Sequence, residues 1–161
     1  MIPLLLSVLI FCLGMIFFQD LKHRAIHIIL PVLVLLLSYL LVSQINSFSY
    51  ITAFENIGFL FLTLFILFVY MSSKNKKILN PFQNHFGLGD LLFYLAVSPL
   101  FGFRNFILFF ILSLLFSLIM FLIFRGKMKE NTIPLAGFAS LLLIFFLIKD
   151  FFIQSTKMTL L

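Results

Sequence analysis

The sequence predicts an all-α, polytopic integral membrane protein with about six transmembrane helices and both termini outside, forming one membrane domain over residues 1–161. Three observations lead there. First, 63% of the residues are hydrophobic and only 10% are charged, with a mean hydropathy of +1.25, whereas soluble domains average about 45–50% apolar and about 25% charged. A water-soluble core of this size cannot hide so much apolar surface, so the lipid bilayer is the expected solvent and partner. Second, the apolar residues fall into six runs, 2–18, 27–43, 57–72, 90–102, 105–124 and 134–153. Third, the basic residues alternate between the connecting segments.

The first run lacks the basic start and small-residue cleavage site of a signal peptide, since Met1-Ile2-Pro3 carries no Lys or Arg and the run ends in Phe17-Phe18-Gln19-Asp20. A retained first helix is expected. Its Cys12 is the only cysteine, which excludes an intrachain disulfide and reads as a small lipid-facing or packed residue. The second and third runs are near the short end of the roughly 17–25 residues that span a bilayer. The fourth is shorter still, and Pro99 and Gly102 mark its end. The fifth carries no charge. Between the third and fourth runs, Ser72–Gly89 is expected to be an irregular loop containing Pro81 and two glycines.

Lys22, Arg24, Lys74, Lys76, Lys77, Arg125, Lys127 and Lys129 all fall on one side of this arrangement. Arg104, Lys149 and Lys157 fall on the other. Cytoplasmic loops carry the Lys/Arg excess, so the first group is expected in the cytoplasm, in a cell inner membrane. The same bias accounts for the net charge of +6 without nucleic acid.

Of five acids, Glu55, Glu130 and Asp150 read as solvated or interfacial charges. Asp20 and Asp90 fall at the cytoplasmic boundary, at the end of the first run and the start of the fourth. An acid at membrane depth is costly and is a functional candidate. Each also has a plain structural account: Asp90 as a helix N-cap, Asp20 paired with Lys22, His23 or Arg24. Two carboxyls brought together in a low-dielectric site share a proton, one serving as general base on water and the other polarising a peptide carbonyl. Gly87 and Gly89 before Asp90 permit close backbone approach. A metal site built on His23, His27 and His85 has no ligand-spaced pair on one helix face, and interfacial hydrogen bonding is the expected role of these residues.

Three stretches together resemble the type IV prepilin peptidases, a family of GxGD membrane aspartyl proteases. They are Asp20-Leu21-Lys22-His23-Arg24-Ala25-Ile26-His27, Gly87-Leu88-Gly89-Asp90 and Ile133-Pro134-Leu135-Ala136-Gly137-Phe138-Ala139. They occur in the family's order and span about residues 1–153. The resemblance implies that Asp20 and Asp90 are catalytic, with Gly87, Gly89, Arg24 and Pro134 as substrate-binding or motif-supporting residues. It implies no metal or other cofactor. It also implies that the substrate is a prepilin-like precursor, cut after a basic leader and just before its apolar helix, at the cytoplasmic face. Leu92 stands where the family usually carries Lys, His27 where it carries Pro, and the last stretch is shorter by a Gly and a Pro. The chain resembles the short members that lack an N-terminal cysteine domain, so no methyltransferase activity is expected.

Two other classes fit parts of the pattern. A non-catalytic relative acting in binding or assembly of a pilus or secretion system would accommodate Leu92 and the shortened last stretch. A small transporter would also use membrane acids, but it calls for them at the centre of long apolar runs, where this sequence has none.

Overall fold

The computed structural model describes residues 2–44, 50–75, 87–127 and 132–152. They form six helices: α1 Ile2–His23, α2 Ile29–Gln44, α3 Tyr50–Asn75, α4 Leu88–Val97, α5 Phe103–Phe124 and α6 Leu135–Phe152. Four are long and apolar enough to cross a bilayer: α1, the Ile51–Lys74 part of α3, α5 and α6. The regular structure of the described residues is thus all helical, and four of these helices suit a membrane. Helices α2 and α4 are too short to span by themselves, at about 24 Å and about 15 Å against a hydrocarbon core of about 30 Å.

The helix ends follow from local chemistry. Helix α1 stops where Arg24 takes a left-handed conformation, φ 52°, and its N–H returns to the Asp20 carbonyl at 3.1 Å, a helix-terminating turn usually made by glycine. A link through Ala25 and Ile26 follows, and the Gln19 side chain accepts from the His27 N–H at 3.1 Å. Pro31 falls in the first turn of α2, where N–H groups have no helical partner to lose. Pro99 has no N–H to continue the helical ladder, and α4 gives way to a 3₁₀ turn over Ser98–Leu100 while Ser98 itself stays helical. Gly102 then opens α5.

Several sequence expectations change here. Helix α3 begins well before residue 57, so Glu55 is an exposed helical residue and not part of a loop. It also runs past Ser72, so the expected irregular loop starts no earlier than residue 76. Pro81, His85, Lys76, Lys77, Lys129, Glu130 and Lys157 lie outside the described residues. Asp150, expected to be solvated or interfacial, is 2% exposed, with the Lys149 ammonium 3.9 Å away. It occupies the inward face of α6, where the helical repeat carries it beneath its neighbours.

Helix α1 packs between α6 and α2, α2 packs on α4 and its 3₁₀ turn, and α5 packs on α6. The interior is filled by Leu9, Leu13 and Ile16 of α1, Val34 and Leu41 of α2, Phe93, Tyr94 and Val97 of α4, Phe106 and Phe109 of α5, and Leu143 and Leu147 of α6. Phe101 stacks on Phe109 with ring centroids 4.7 Å apart. Small buried residues, Ala136, Gly137, Ala139 and Ser140, open α6. Without a hydrophobic drive between helices in lipid, such residues permit the close backbone approach that replaces it.

Helix α3 lies at the edge and leaves Phe54, Phe61, Phe65 and Ile66 exposed. Two features attach it. Phe59 makes edge-to-face contacts with Phe103, Phe106 and Phe110 of α5. The buried Asn56 amide donates to the Ser98 and Phe101 carbonyls, both at 2.9 Å, serving the carbonyls released where α4 breaks. Replacing Asn56 by Leu removes this donor from both carbonyls and leaves the Ser98 carbonyl only the Phe101 N–H at 3.4 Å. We expect a loss of about 1–2 kcal/mol, read as reduced thermal stability in detergent.

Candidate functional site

The site forms around the N-terminus of α6. Phe138 N–H donates to the Pro134 carbonyl at 3.1 Å and makes the first helical bond. The amides before it have no partner within the helix. Two of them are taken by carboxylates from elsewhere in the chain. Ala136 N–H donates to Asp90 Oδ1 at 2.8 Å, and Gly137 N–H donates to Asp20 Oδ2 at 2.6 Å. These amide nitrogens are adjacent along the backbone, only three bonds apart, so the carboxyls they hold are neighbours too. The charge of Asp20 acts directly on Asp90. Residues seventy positions apart in sequence therefore meet at one helix terminus.

Each acid is fixed further. Asp20 lies within the last turn of α1, not after it, and is 6% exposed. The guanidinium of Arg24, one turn on, exerts its charge on it. Among the described residues Arg24 is the only non-glycine with positive φ, a conformation that costs a bulky residue about 1–2 kcal/mol. Such strain persists where surrounding structure enforces it and gathers at functional sites.

Asp90 is not the N-cap of α4. Gly87 takes that position, with φ −71° and ψ 136°, and its carbonyl receives the Asp90 and Leu91 N–H groups. Asp90 is the third helical residue, and its carboxylate reaches back to the Gly87 N–H, one half of a capping box. It thus bonds an amide of its own helix and an amide of α6.

At three glycines a Cβ would crowd its neighbours. A Cβ on Gly137 would lie 3.0 Å from Asp20 Oδ2 and 3.1 Å from its Cβ. One on Gly87 would lie 2.8 Å from Asp90 Oδ2, and one on Gly89 3.3 Å from Ile26 Cδ1. The last contact seats the α1–α2 link against the start of α4. All three sequence stretches therefore converge: Arg24 through its charge, Gly87 and Gly89 through backbone and space, and Pro134 by starting the helix whose amides do the holding. His23 and His27 are exposed, and among the described residues no three His, Cys, Asp or Glu side chains gather as a metal would need.

Sequence reasoning missed the Ala136 and Gly137 amides, since a backbone N–H leaves no residue-type signal; the mid-motif Gly137 was the available clue. It also missed a buried polar chain below the pair. Tyr94, one turn after Asp90, shares a 2.7 Å hydrogen bond with Ser113, and the Ser117 hydroxyl reaches the Ser113 carbonyl at 2.7 Å and the Leu135 carbonyl at 3.5 Å.

The chain matches no family model, no curated protein and no solved structure. What the fold and site define is a class: a helical membrane protein carrying two adjacent carboxyls at a helix N-terminus.

Gly137→Ala tests this arrangement against Gly14→Ala, whose Cβ would meet nothing within 4 Å. Thermal unfolding in detergent should show Gly137→Ala destabilised by about 1–3 kcal/mol. Gly14→Ala should be neutral or stabilised by up to about 1 kcal/mol.

Proposed function

We propose that the protein is a membrane aspartic endopeptidase that uses Asp20 and Asp90 to cut prepilin-like precursors. The observation that carries the reading is the meeting of these two carboxyls at Ala136 and Gly137. An aspartic peptidase needs two neighbouring carboxyls that hold one proton between them. The ionised partner takes a proton from water as the water oxygen bonds to the scissile carbonyl carbon. The protonated partner hydrogen-bonds the carbonyl oxygen and stabilises its developing charge. Collapse of the tetrahedral intermediate breaks the C–N bond, and the leaving nitrogen takes a proton from the site. The α6 terminus supports this chemistry by fixing both carboxyls with backbone donors. Arg24 supplies a cation beside Asp20, while Leu92 brings none to α4.

The resemblance to prepilin peptidases supplies the substrate class, a basic leader followed by an apolar helix. The Lys and Arg distribution supports a cytoplasmic position for the pair and outside positions for both termini, in an inner membrane. Neither a metal nor methyl transfer enters this reading.

A second reading is favoured by the same hydrogen bonds. Carboxylates bonded to the free amides of a helix are also caps, each contributing about 1.5–3 kcal/mol as a charged hydrogen bond. A non-catalytic binding or assembly protein would need them only for that. Asn keeps an oxygen acceptor and caps helices well, so Asp20→Asn and Asp90→Asn separate the two. With a pilin-like precursor co-expressed in membranes, the peptidase reading expects each variant to fold while cleavage falls at least about 100-fold. Wild-type cleavage in both variants would leave capping as the whole role.

A further inference from the structure

Two opposite charges stand on the outer surface of the bundle at one depth. Glu55 of α3 and Arg104 of α5 are both exposed, and among the described residues neither takes part in an ion pair. Their depth follows from contacts between the two helices. The Asn56 amide, next to Glu55, bonds the Phe101 carbonyl. One turn on, Phe59 meets Phe103, Phe106 and Phe110. Helices α3 and α5 therefore run side by side in the same direction, with Glu55 and Arg104 nearly level. From Arg104 to Arg125, α5 rises about 31 Å, one bilayer core, so both charges lie at the rim of the hydrocarbon.

From these charges onward the two helices carry the same pattern. On α3, exposed Leu62, Ile66 and Val69 follow Glu55 by 7, 11 and 14 positions. On α5, exposed Ile111, Leu115 and Leu118 follow Arg104 by the same steps. These steps are the a/d spacing of a left-handed coiled-coil seam, and nothing within the chain covers either stripe. Helix α3 has the least cover of all: 11% of its spanning window is buried, against 28% for α1 and α5 and 44% for α6. Between Glu55 and Leu62, Gly58 leaves a notch, since a Cβ there would meet nothing within 4 Å. Small residues of this kind let helices approach closely in lipid.

We propose that this face is a two-fold interface between two copies of the chain, with α3 of each copy packed in parallel on α5 of the other. The argument for a second copy is that the face is its own complement. Two copies inserted the same way are related by an axis along the membrane normal, so groups meet others of equal depth. Glu55 of each copy then pairs with Arg104 of the other, and the stripe below each charge covers the stripe below its opposite. Helices α1 and α2 take no part, which leaves the Asp20 side of the bundle open to lipid. This goes beyond the peptidase reading and stands whether or not the acid pair is catalytic.

Disulfide cross-linking of the full chain in membranes tests this without a substrate. In a Cys12→Ala background, one tagged copy carries Leu62→Cys and a second, differently tagged copy carries Ile111→Cys. Leu36→Cys in both copies, on the exposed face of α2, gives the level of chance collision. Under copper–phenanthroline oxidation, Leu62→Cys with Ile111→Cys should cross-link at least about tenfold above that level. Glu55→Arg alone or Arg104→Glu alone, placed in both copies, should cut the cross-link at least about tenfold by setting like charges together, and the double reversal should restore it. Cross-linking at the collision level overturns the proposal. So does indifference to the single reversals, or failure of the double reversal to restore the cross-link. None of these results bears on whether Asp20 and Asp90 cleave peptides.

Discussion

The arrangement depends on how the first turn of α6 satisfies its amides. A helix that starts inside a membrane protein exposes N–H groups where little water can serve them. Pro134 has no side-chain acceptor, so the acceptors come from a distance: Asp90 for Ala136 and Asp20 for Gly137. A buried Asp20, a half-buried Asp90 and a helix end without internal partners would each be unfavourable alone. Together they offset one another, because the carboxylates supply acceptors and the amides supply the positive end of the helix dipole.

Other features follow from this meeting. Helix α1 must approach α6 closely enough for Asp20 to reach the backbone, and that approach leaves no room for a side chain at Gly137. Asp90 must lie one turn inside α4, so Gly87 becomes the cap and the carboxylate folds over it. The α1–α2 link must pass close to Gly89, and it does so through the left-handed turn at Arg24. The buried chain from Tyr94 through Ser113 and Ser117 ties α4 and α5 to the same end of α6. The acids are thus held by backbone donors of two helices, α6 and the start of α4.

The two halves of the bundle are built differently. Helices α1, α2, α4, α5 and α6 share a core with small residues at the α6 entrance, whereas α3 is attached mainly by Asn56 and Phe59 and otherwise faces outward. In lipid this costs little, since acyl chains solvate the phenylalanines of α3 as well as protein would. The left-handed turn at Arg24 and the polar groups lie around the acids, away from α3.

Composition and the six apolar runs determined the membrane class and the number of helices, because hydrocarbon length and hydropathy act on each segment separately. The break at Pro99 was legible for the same reason, being local backbone chemistry. Asp20 and Asp90 stood out because charge at membrane depth is rare. The start of α3, the inward aim of Asp150 and the position of Asp90 within α4 were not legible, since each turns on a helix boundary or a helix face that neighbours select. That Asp20 and Asp90 adjoin was decided only by tertiary structure. The groups that join them are two main-chain amides, which every residue but proline possesses, and only the packing of α1 and α4 against α6 singles them out.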